Sequence, residues 1–338
     1  MTTQTVRGGE TCFETSGSTG PVERWVRSHE QLAREAELIG DALVGPVDLV
    51  VSYAPPRHLF GALFGDWLPR LRRVAVVQAW AEFFTFPPIA PGSRVLVVCV
   101  PTAWHLLRRH WTALQVAHSV VALHSSAAPP PAAYDLVREA APLLRAYEVL
   151  GSTETGGIAH RPIEPRDRQL PWRAFGDVSL VREHGVGEPG RAEELVIASP
   201  RIARPGAADT PPARWATGDL VEHTGPAQFR LVGRSSSLVK VDGQRVHLSR
   251  VDDRLRERLP GIEFATLPIH GDALTGEGYA VFWSPGSSAA GLSDIRGALR
   301  DFPSPARIIR LPRVPTTAAG KPDARPLAGL LRYPDPLP

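Results

Sequence analysis

The chain has 338 residues, of which 43% are hydrophobic and 22% charged, so a large buried core is possible and disordered, collagen-like and disulfide-stapled proteins are excluded. The formal charge of +3 comes from scattered arginines and the longest apolar runs have strand length, so the sequence predicts neither a nucleic-acid partner nor a membrane span. Two cysteines, Cys12 and Cys99, are too few for a secreted framework, and a cytoplasmic protein is expected.

Residues 47–151 alternate short apolar runs with segments of helical periodicity. The predicted strands are VDLVVSYAP, RRVAVVQAW, SRVLVVCVP, HSVVALHSS and AYEVLGS, and the predicted helices are HLFGALFGDWLPRL, TAWHLLRRHWTAL and PAAYDLVREAAPLL. Strands that are apolar throughout and separated by helices are typical of a parallel sheet covered on both faces. The sequence therefore predicts an α/β fold with a mostly parallel sheet flanked by helices.

The sequence changes character after residue 160. Proline and glycine are dense in residues 160–233, where EELVIAS and AQFRLVG predict strands of a small β-rich subdomain. Residues 234–338 then predict a compact α+β domain. Its hairpin turns at VDGQ, its first helix is SRVDDRLRERL, and it ends in a strand and a loop. The predicted domains are residues 1–233 and 234–338.

Lysine is almost absent from this arginine-rich chain. Of the 38 Lys and Arg residues, only Lys240 and Lys321 are lysines. A compact ammonium and a planar guanidinium do different chemistry, so both lysines are candidate functional residues. Two lysines left by chance are the alternative.

The first candidate motif is a loop of four hydroxyl residues and two glycines near the N-terminus. Backbone and side-chain donors in such a loop can bind anionic oxygens, although a flexible linker has a similar composition. A Walker loop is excluded, because no Gly-Lys-Ser/Thr follows and no predicted strand precedes the motif at the right distance. The motif consists of Thr15, Ser16, Gly17, Ser18, Thr19 and Gly20.

The second motif, YEVLGSTETG, ends a predicted buried strand. Ligands of an open parallel sheet bind at the carboxyl ends of its strands. Thr153 is placed to donate to a phosphate there, and Glu154 to bind a divalent cation that bridges phosphate oxygens. A strand-to-loop turn with a solvated Glu154 is the alternative.

Three further motifs follow. Asp219 ends WATGD, where a carboxylate can accept both hydroxyls of a ribose or simply close a turn. Lys240 lies in GRSSSLVKVDG, and Lys321 lies in TTAAGKPD. A Gly-Lys in a loop of small residues can present its charge to a developing oxyanion, although an exposed lysine in a tail would have the same sequence.

The order of these five motifs, from Thr15 to Asp323, resembles that of the adenylate-forming superfamily of acyl- and aryl-CoA synthetases, peptide-synthetase adenylation domains and luciferases. That family has a TSGSTG-type phosphate loop, a YGSTETG-type segment, TGD, a GRxxxxIKxxG hinge segment and a TxxGKxD loop. Both lysines of the chain lie at family positions. The resemblance implies a ligase that uses ATP and Mg²⁺ to make an acyl-AMP and then transfers the acyl group to a thiol.

The resemblance also implies residue roles. Lys321 would bridge the carboxylate and the α-phosphate. Thr153 would contact the α-phosphate, and Glu154 would bind the Mg²⁺. The C-terminal domain would be mobile, rotating about a hinge at Ser236 and carrying Lys240 on its rotating face. The nucleotide would be bound by Thr15, Ser16, Gly17, Ser18, Thr19, Gly20 and Ser152, with Asp219 and Arg234 on the ribose.

The chain departs from the family pattern in four respects. It opens at the phosphate loop, so we expect the usual first subdomain to be reduced or supplied by a partner chain, and an exposed sheet edge to favour a homodimer. Arg24 is the candidate substitute for a lysine that usually follows the loop. The hinge position, which is usually Asp or Lys in the family, is Ser236 here. The acidic pair that the family has after the hinge hairpin is replaced by residues 249–252, which end at Asp252.

The implied acid pocket is lined by His58, Phe60, Ser126, Ala127 and Gly151. His58 would bond a ring hydroxyl or steer the carboxylate, and a packed or surface histidine is the alternative. The missing N-terminal portion predicts a short pocket and favours a compact aryl acid such as a hydroxybenzoate. The chain is in this respect similar to abbreviated ligases that charge acyl carrier proteins in aryl-polyene pigment pathways, and CoA is the other candidate acceptor.

Two other functions stay open. A fatty or short-chain acyl-CoA synthetase would use the same motifs on another acid. A non-catalytic nucleotide-binding scaffold would keep Asp219 and the phosphate loop without needing Lys321. A serine hydrolase is disfavoured, because neither GSTG nor GSTETG fits Gly-x-Ser-x-Gly.

Overall fold

The computed structural model describes residues 8–16, 22–81, 86–164, 170–182, 192–234, 238–241, 244–270, 277–316 and 322–331. The strands are β1 Glu10–Ser16, β2 Val22–Ser28, β3 Leu49–Ser52, β4 Ala75–Val77, β5 Arg94–Cys99, β6 Ser119–His124, β7 Leu144–Ser152, β8 Gly156–Pro162, β9 Trp172–Ala174, β10 Ser179–Val181, β11 Glu193–Ala198, β12 Arg204–Pro205, β13 Trp215–Gly225, β14 Gln228–Arg234, β15 Leu238–Val241, β16 Gln244–His247, β17 Glu263–His270, β18 Glu277–Ser284 and β19 Arg307–Arg310.

Helices connect these strands. They are α1 His29–Ile39, α2 Leu59–Ala62, α3 Leu68–Arg72, α4 Ala103–Arg109, α5 Trp111–Leu114, α6 Pro131–Ala140, α7 Leu248–Arg258, α8 Leu292–Ala298 and α9 Ala324–Leu331. A π-helical turn, Gly40–Val44, extends α1, and another, Leu63–Trp67, joins α2 to α3. Within the described ranges, every helix is too short or too polar to cross a bilayer.

A large mixed sheet has the strand order β10-β11-β13-β14-β9-β8-β7-β6-β5-β3-β4. Its β4, β3, β5, β6 and β7 pair in parallel, which confirms the parallel sheet expected for residues 47–151. The β7–β8, β8–β9, β9–β14 and β10–β11 pairs are antiparallel, so the strands of the Pro- and Gly-rich region continue this sheet.

The chain divides into two compact units. The first consists of Met1–Val186, Val196–Trp215 and Thr224–Arg230, and the second of Gly187–Leu195, Ala216–His223 and Leu231–Pro338. The division at residues 233 and 234 that the sequence suggested stays a prediction.

The core of the first unit lies against its parallel strands. Val95–Cys99 of β5 and Val120–His124 of β6 are buried throughout, as expected for strands covered on both faces. Trp104 and Leu107 of α4 pack with Leu136 of α6 in the same cluster. This packing fixes the parallel strands and therefore the positions of the loops that leave them.

An N-terminal hairpin and a capped helix precede this sheet. β1 and β2 pair antiparallel, with Thr15 opposite Glu23 and Ser16 opposite Val22. The expectation that no strand precedes the Thr15–Gly20 loop at the distance of a Walker motif is therefore wrong, and the β-propensity of Thr11, Phe13 and Thr15 is the signal that was overlooked. A Walker loop stays excluded, because strand β2 follows the loop where a Walker motif has a helix.

The second unit contains the hairpin and helices that the sequence predicted. β15 pairs antiparallel with β16, and the charged helix α7 follows directly. β17, β18 and β19 form a second sheet, on which Val251 and Leu255 of α7 pack with Tyr279 and Trp283 of β18. The expected C-terminal loop is wrong over residues 324–327, which form the first half of helix α9, where Leu327 is buried in one cluster with Phe282.

Candidate functional site

The carboxyl ends of the parallel strands bring several predicted segments to one edge of the sheet. Ser52 of β3 pairs with Val98, and Cys99 of β5 pairs with His124 of β6. The loop after β3 carries His58, the loop after β6 carries Ser126 and Ala127, and β7 continues into Gly151 and Ser152. The Ser125 hydroxyl donates to the Val149 carbonyl at 2.9 Å, so the loop after β6 contacts β7 directly.

A tight turn, residues 152–155, presents Thr153 and Glu154. The Ser152 amide donates to the Thr155 hydroxyl at 3.2 Å, and the Thr155 amide donates to the Ser152 hydroxyl at 3.3 Å. Thr155 is buried, whereas Thr153 and Glu154 are half-buried. Gly151 is required by close backbone packing, since a Cβ there would lie 2.2 Å from the Gly156 oxygen. The structure thus brings Gly151, Ser152, Thr153 and Glu154 together.

A buried ion pair behind this turn was missed from the sequence. Arg27 of β2 and Glu35 of α1 are both fully buried, and Arg27 Nη1 lies 2.8 Å from Glu35 Oε2. Burial lowers the pKa of the Arg27 guanidinium, an effect that the carboxylate of Glu35 opposes. The readable signal was Glu35 itself, a carboxylate on the apolar helix face formed with Leu32 and Ile39.

A second buried arginine adjoins this pair. Arg201 Nη1 lies 3.7 Å from Glu35 Oε1, and Arg201 Nη2 lies 2.6 Å from Asp177 Oδ1. Its guanidinium also stacks over the Phe175 ring at 5.2 Å. With Arg27 the group holds two positive and two negative charges, so its formal charge is zero. Balanced charge lowers the cost of burying Arg27, Glu35 and Arg201, while Asp177 is partly exposed.

His124 organises the loop after β6 and was also missed. The Trp104 indole donates to His124 Nδ1 at 3.0 Å, so Nε2 carries the proton and donates to the Ala127 carbonyl at 2.7 Å. Burial lowers the pKa of His124 to about 4. Ser126 next to it has a positive φ of 86°. The signal in the sequence was a histidine at the end of the apolar run of β6.

The remaining pocket candidates lie where β3 leads into α2. His58 precedes the first turn of α2 and is exposed, although partial burial, aided by the charge of Arg57, lowers the pKa of His58 below its ordinary value. Phe60 packs edge to face on Phe64 at 5.3 Å between ring centroids. A Cβ on Gly61 would lie 2.2 Å from the Pro55 oxygen, which fixes the helix against the preceding loop.

Asp219 belongs to the second unit. Its amide donates to the Thr217 hydroxyl at 3.1 Å, and the amide of Gly218, whose φ is +75°, donates to Glu194 Oε1 at 3.1 Å. Arg234 ends β14, and Lys240 pairs with Arg245 across the β15–β16 hairpin.

Asp252 lies on helix α7 of the same unit. It accepts a hydrogen bond of 2.7 Å from Thr266, and burial raises the pKa of Asp252 to about 6. Asp252 is therefore a structural acid of this unit.

Several predicted site residues are not described. Thr15 and Ser16 end β1, and their side chains are outside the description, as are those of Arg234 and Lys240. The predictions for Gly17, Ser18, Thr19, Gly20, Ser236 and Lys321 fall outside the described residues.

The donor set of the turn fits a magnesium ion held mainly by phosphates. No group of three or more metal-ligating side chains occurs in the part of the chain that the structure describes. Mg²⁺ commonly binds through one or two carboxylates plus substrate phosphates, and the half-buried Glu154 carboxylate and Thr153 hydroxyl are hard oxygen donors of that kind.

Comparison with known sequences finds relatives over most of the chain. A 4-coumarate–CoA ligase of Rhodobacter capsulatus is 31% identical over 275 residues, which are 78% of this chain and 61% of that ligase. The chain spans about three fifths of the length of the curated relatives that it matches. No protein-family model matches the sequence.

Solved structures share the fold. ATP-bound MatB from Rhodopseudomonas palustris has a TM-score of 0.72 at 19% identity, with 95% of this chain and 68% of MatB covered. MenE from Bacillus subtilis, an o-succinylbenzoate–CoA synthetase in complex with ATP and magnesium, has a TM-score of 0.70 at 15% identity, with 92% of this chain and 68% of MenE covered. At these identities the likeness shows the fold alone.

Proposed function

Because the chain is a homologue of the adenylate-forming enzymes and has their fold, we propose that it activates a small carboxylic acid with ATP. The acid would become an acyl-AMP, and the acyl group would then pass to the thiol of CoA or of an acyl carrier protein. The observation that carries this proposal is the turn with Thr153 and Glu154, held at the same sheet edge as the Ser125–Ala128 loop.

In the first step, the negative charges of the attacking carboxylate, the α-phosphate and the leaving pyrophosphate, which lie in line, must be neutralised. A carboxylate oxygen attacks the α-phosphorus, a P–O bond forms, and the bond to pyrophosphate breaks. Thr153 would donate to the α-phosphate, and Lys321 would place its ammonium between the carboxylate and the α-phosphate, where negative charge is greatest in the transition state. Glu154 would hold a Mg²⁺ ion, whose charge would offset that of the phosphates. The nucleotide would be bound by Thr15, Ser16, Gly17, Ser18, Thr19, Gly20 and Ser152.

The second unit would carry the ribose contact and the lysines. Asp219, with Arg234, would accept the ribose hydroxyls, as a carboxylate at a strand end can. Rotation about Ser236 would withdraw Lys321 after the first step and admit the thiol, with Lys240 on the rotating face. These roles follow from the motif positions and are proposals for this chain.

We propose an aryl acid as the substrate. The curated relative in Rhodobacter capsulatus is named for 4-coumarate, an aromatic carboxylic acid. His58 and Phe60 supply an aromatic and polar lining, and the backbone of Ser126 and Ala127 supplies a wall fixed by His124. CoA is the acceptor favoured by the relatives' names.

A screen that traps acyl-AMP with hydroxylamine tests this proposal. The panel would contain 4-hydroxybenzoate, 4-coumarate, hexanoate and decanoate, each with ATP and Mg²⁺, and pyrophosphate release would be followed in parallel. We expect hydroxamates from the aryl acids, and none from the Lys321→Ala variant, whereas Arg94→Met serves as a control away from the site. Exclusive turnover of decanoate would contradict the aryl preference. ATP binding without pyrophosphate release for any acid would favour the scaffold.

A further inference from the structure

The buried Arg27–Glu35 ion pair contacts both ends of the segment that carries Glu154. Arg27 donates to the Thr153 carbonyl through Nε and Nη2, each at 3.4 Å. The Gly157 amide donates to Glu35 Oε1 at 2.7 Å. The residue before Glu154 and a residue three positions after it are therefore tied to one rigid pair of side chains.

The pair fits closely against this segment. A Cβ on Gly156 would lie 2.7 Å from both carboxylate oxygens of Glu35 and 3.0 Å from Arg27 Nη2, and Gly156 has a φ of +71°. Only glycine allows the backbone to come so close to the carboxylate in this conformation. The main chain and the ion pair thus determine each other's positions.

Stability alone does not account for a charged pair here. Replacement of a buried ion pair by well-packed apolar side chains is often neutral or stabilising. Apolar side chains, however, offer no donor to the Thr153 carbonyl and no acceptor to the Gly157 amide. What the pair supplies is orientation of the backbone on both sides of Glu154.

We propose that Arg27 and Glu35 are positioning residues that hold the Glu154 carboxylate in the geometry required for binding Mg²⁺ with ATP. The inference rests on the proposed function. Arg27 lies on β2, the strand that follows the predicted phosphate loop, so the pair also joins that strand to the Glu154 turn. Neither residue contacts the reacting atoms in this assignment; both act through the backbone of residues 153–157.

The variant Arg27→Met/Glu35→Gln tests the proposal. It leaves no unpaired charge and keeps an oxygen for the Gly157 amide, so it should fold. Calorimetric titration with ATP should show about tenfold weaker binding in the presence of Mg²⁺, because loss of a residue that orients a metal ligand commonly costs 10- to 100-fold in affinity. Titration with ATP in EDTA should show no comparable loss, because Glu154 then has no metal ion to bind.

Two further measurements separate positioning from a general structural effect. In a Glu154→Gln background the double substitution should weaken MgATP binding no further, as expected for residues that act through one another. Amide hydrogen exchange without nucleotide should be faster in residues 152–157 of the variant. The matched control, Arg94→Met/Asp48→Asn, removes an ion pair at the amino end of β5 and should change neither result.

Three results would each overturn the positioning role. They are equal losses of ATP affinity with and without Mg²⁺, an additional loss in the Glu154→Gln background, and unchanged MgATP affinity. If the wild-type chain binds ATP neither with Mg²⁺ nor in EDTA, the proposed function fails, and the inference fails with it.

Discussion

The imidazole of His124 holds the loop after β6 through hydrogen bonds of both ring nitrogens. Its two ring nitrogens are both engaged, one accepting from Trp104 and the other donating to Ala127, and the ring is fully buried. A charged imidazolium could not accept the indole hydrogen bond. The neutral ring therefore fixes the backbone that would line the acid pocket.

The stability of the first unit should fall in acid because of His124. Its pKa is about 4 in the folded chain and near the ordinary 6.5 when unfolded, so the unfolded chain binds the extra proton between these values. The free energy of unfolding should drop by up to about 3 kcal/mol as the pH falls from 6.5 to 4. Urea unfolding of the wild type and of His124→Gln across this range measures the effect. Equal pH dependence in the two proteins would refute the assignment.

Ser126 adopts a backbone conformation that favours glycine. A residue other than glycine in the left-handed region costs about 1–2 kcal/mol of stability. Glycine avoids this cost, but it loses more conformational entropy on folding, which offsets part of the gain. Ser126→Gly should therefore raise the free energy of unfolding by about 0.5 kcal/mol. The neighbouring Ser125→Gly, which loses the hydrogen bond to Val149, should lower it by about 1–2 kcal/mol. A destabilised Ser126→Gly variant would contradict this reading.

At the scale of elements, local contacts at the first turns of helices α1 and α2 position the residues near the sheet edge. Helix α1 begins with a capping box, in which the Ser28 hydroxyl accepts from the Gln31 amide and Gln31 Oε1 accepts from the Ser28 amide. Helix α2 begins with the contact of Gly61 on the backbone of residues 54–55. Both helices thus place candidate site residues, Glu35 and His58, by local geometry.

Gly61→Ala should destabilise the first unit. The added methyl would meet the Pro55 and Ala54 oxygens at 2.2 and 2.5 Å, and both are main-chain atoms that cannot move aside cheaply. We expect a loss of about 2–3 kcal/mol in urea unfolding. Gly297→Ala in α8 is the control, because nothing lies within 4 Å of its Cβ, and it should gain about 0.5–1 kcal/mol. A neutral Gly61→Ala would show that the α2 contact does not constrain the fold.

At the scale of the whole molecule, the parallel strands and their helices could be predicted because their signals are local. Apolar runs such as Val95–Cys99 indicate a buried strand without knowledge of their neighbours. The contacts of Arg27 with Thr153 join residues 126 positions apart, so no local pattern contains them. Glu35 was readable as a buried charge, but its partner was not. The sequence therefore predicted the strand that leads into the Thr153–Glu154 turn, and tertiary packing decided what holds that turn in place.

Formation of an acyl-AMP from ATP and a carboxylic acid is the activity that we propose for this chain. Exchange of labelled pyrophosphate into ATP measures that step directly, because only a reversible adenylation returns the label. We expect exchange that requires an aryl acid and Mg²⁺ and that is abolished by Lys321→Ala and strongly reduced by Glu154→Gln. Label that enters ATP at the same rate without any acid, or no exchange with any acid although ATP binds, would contradict it.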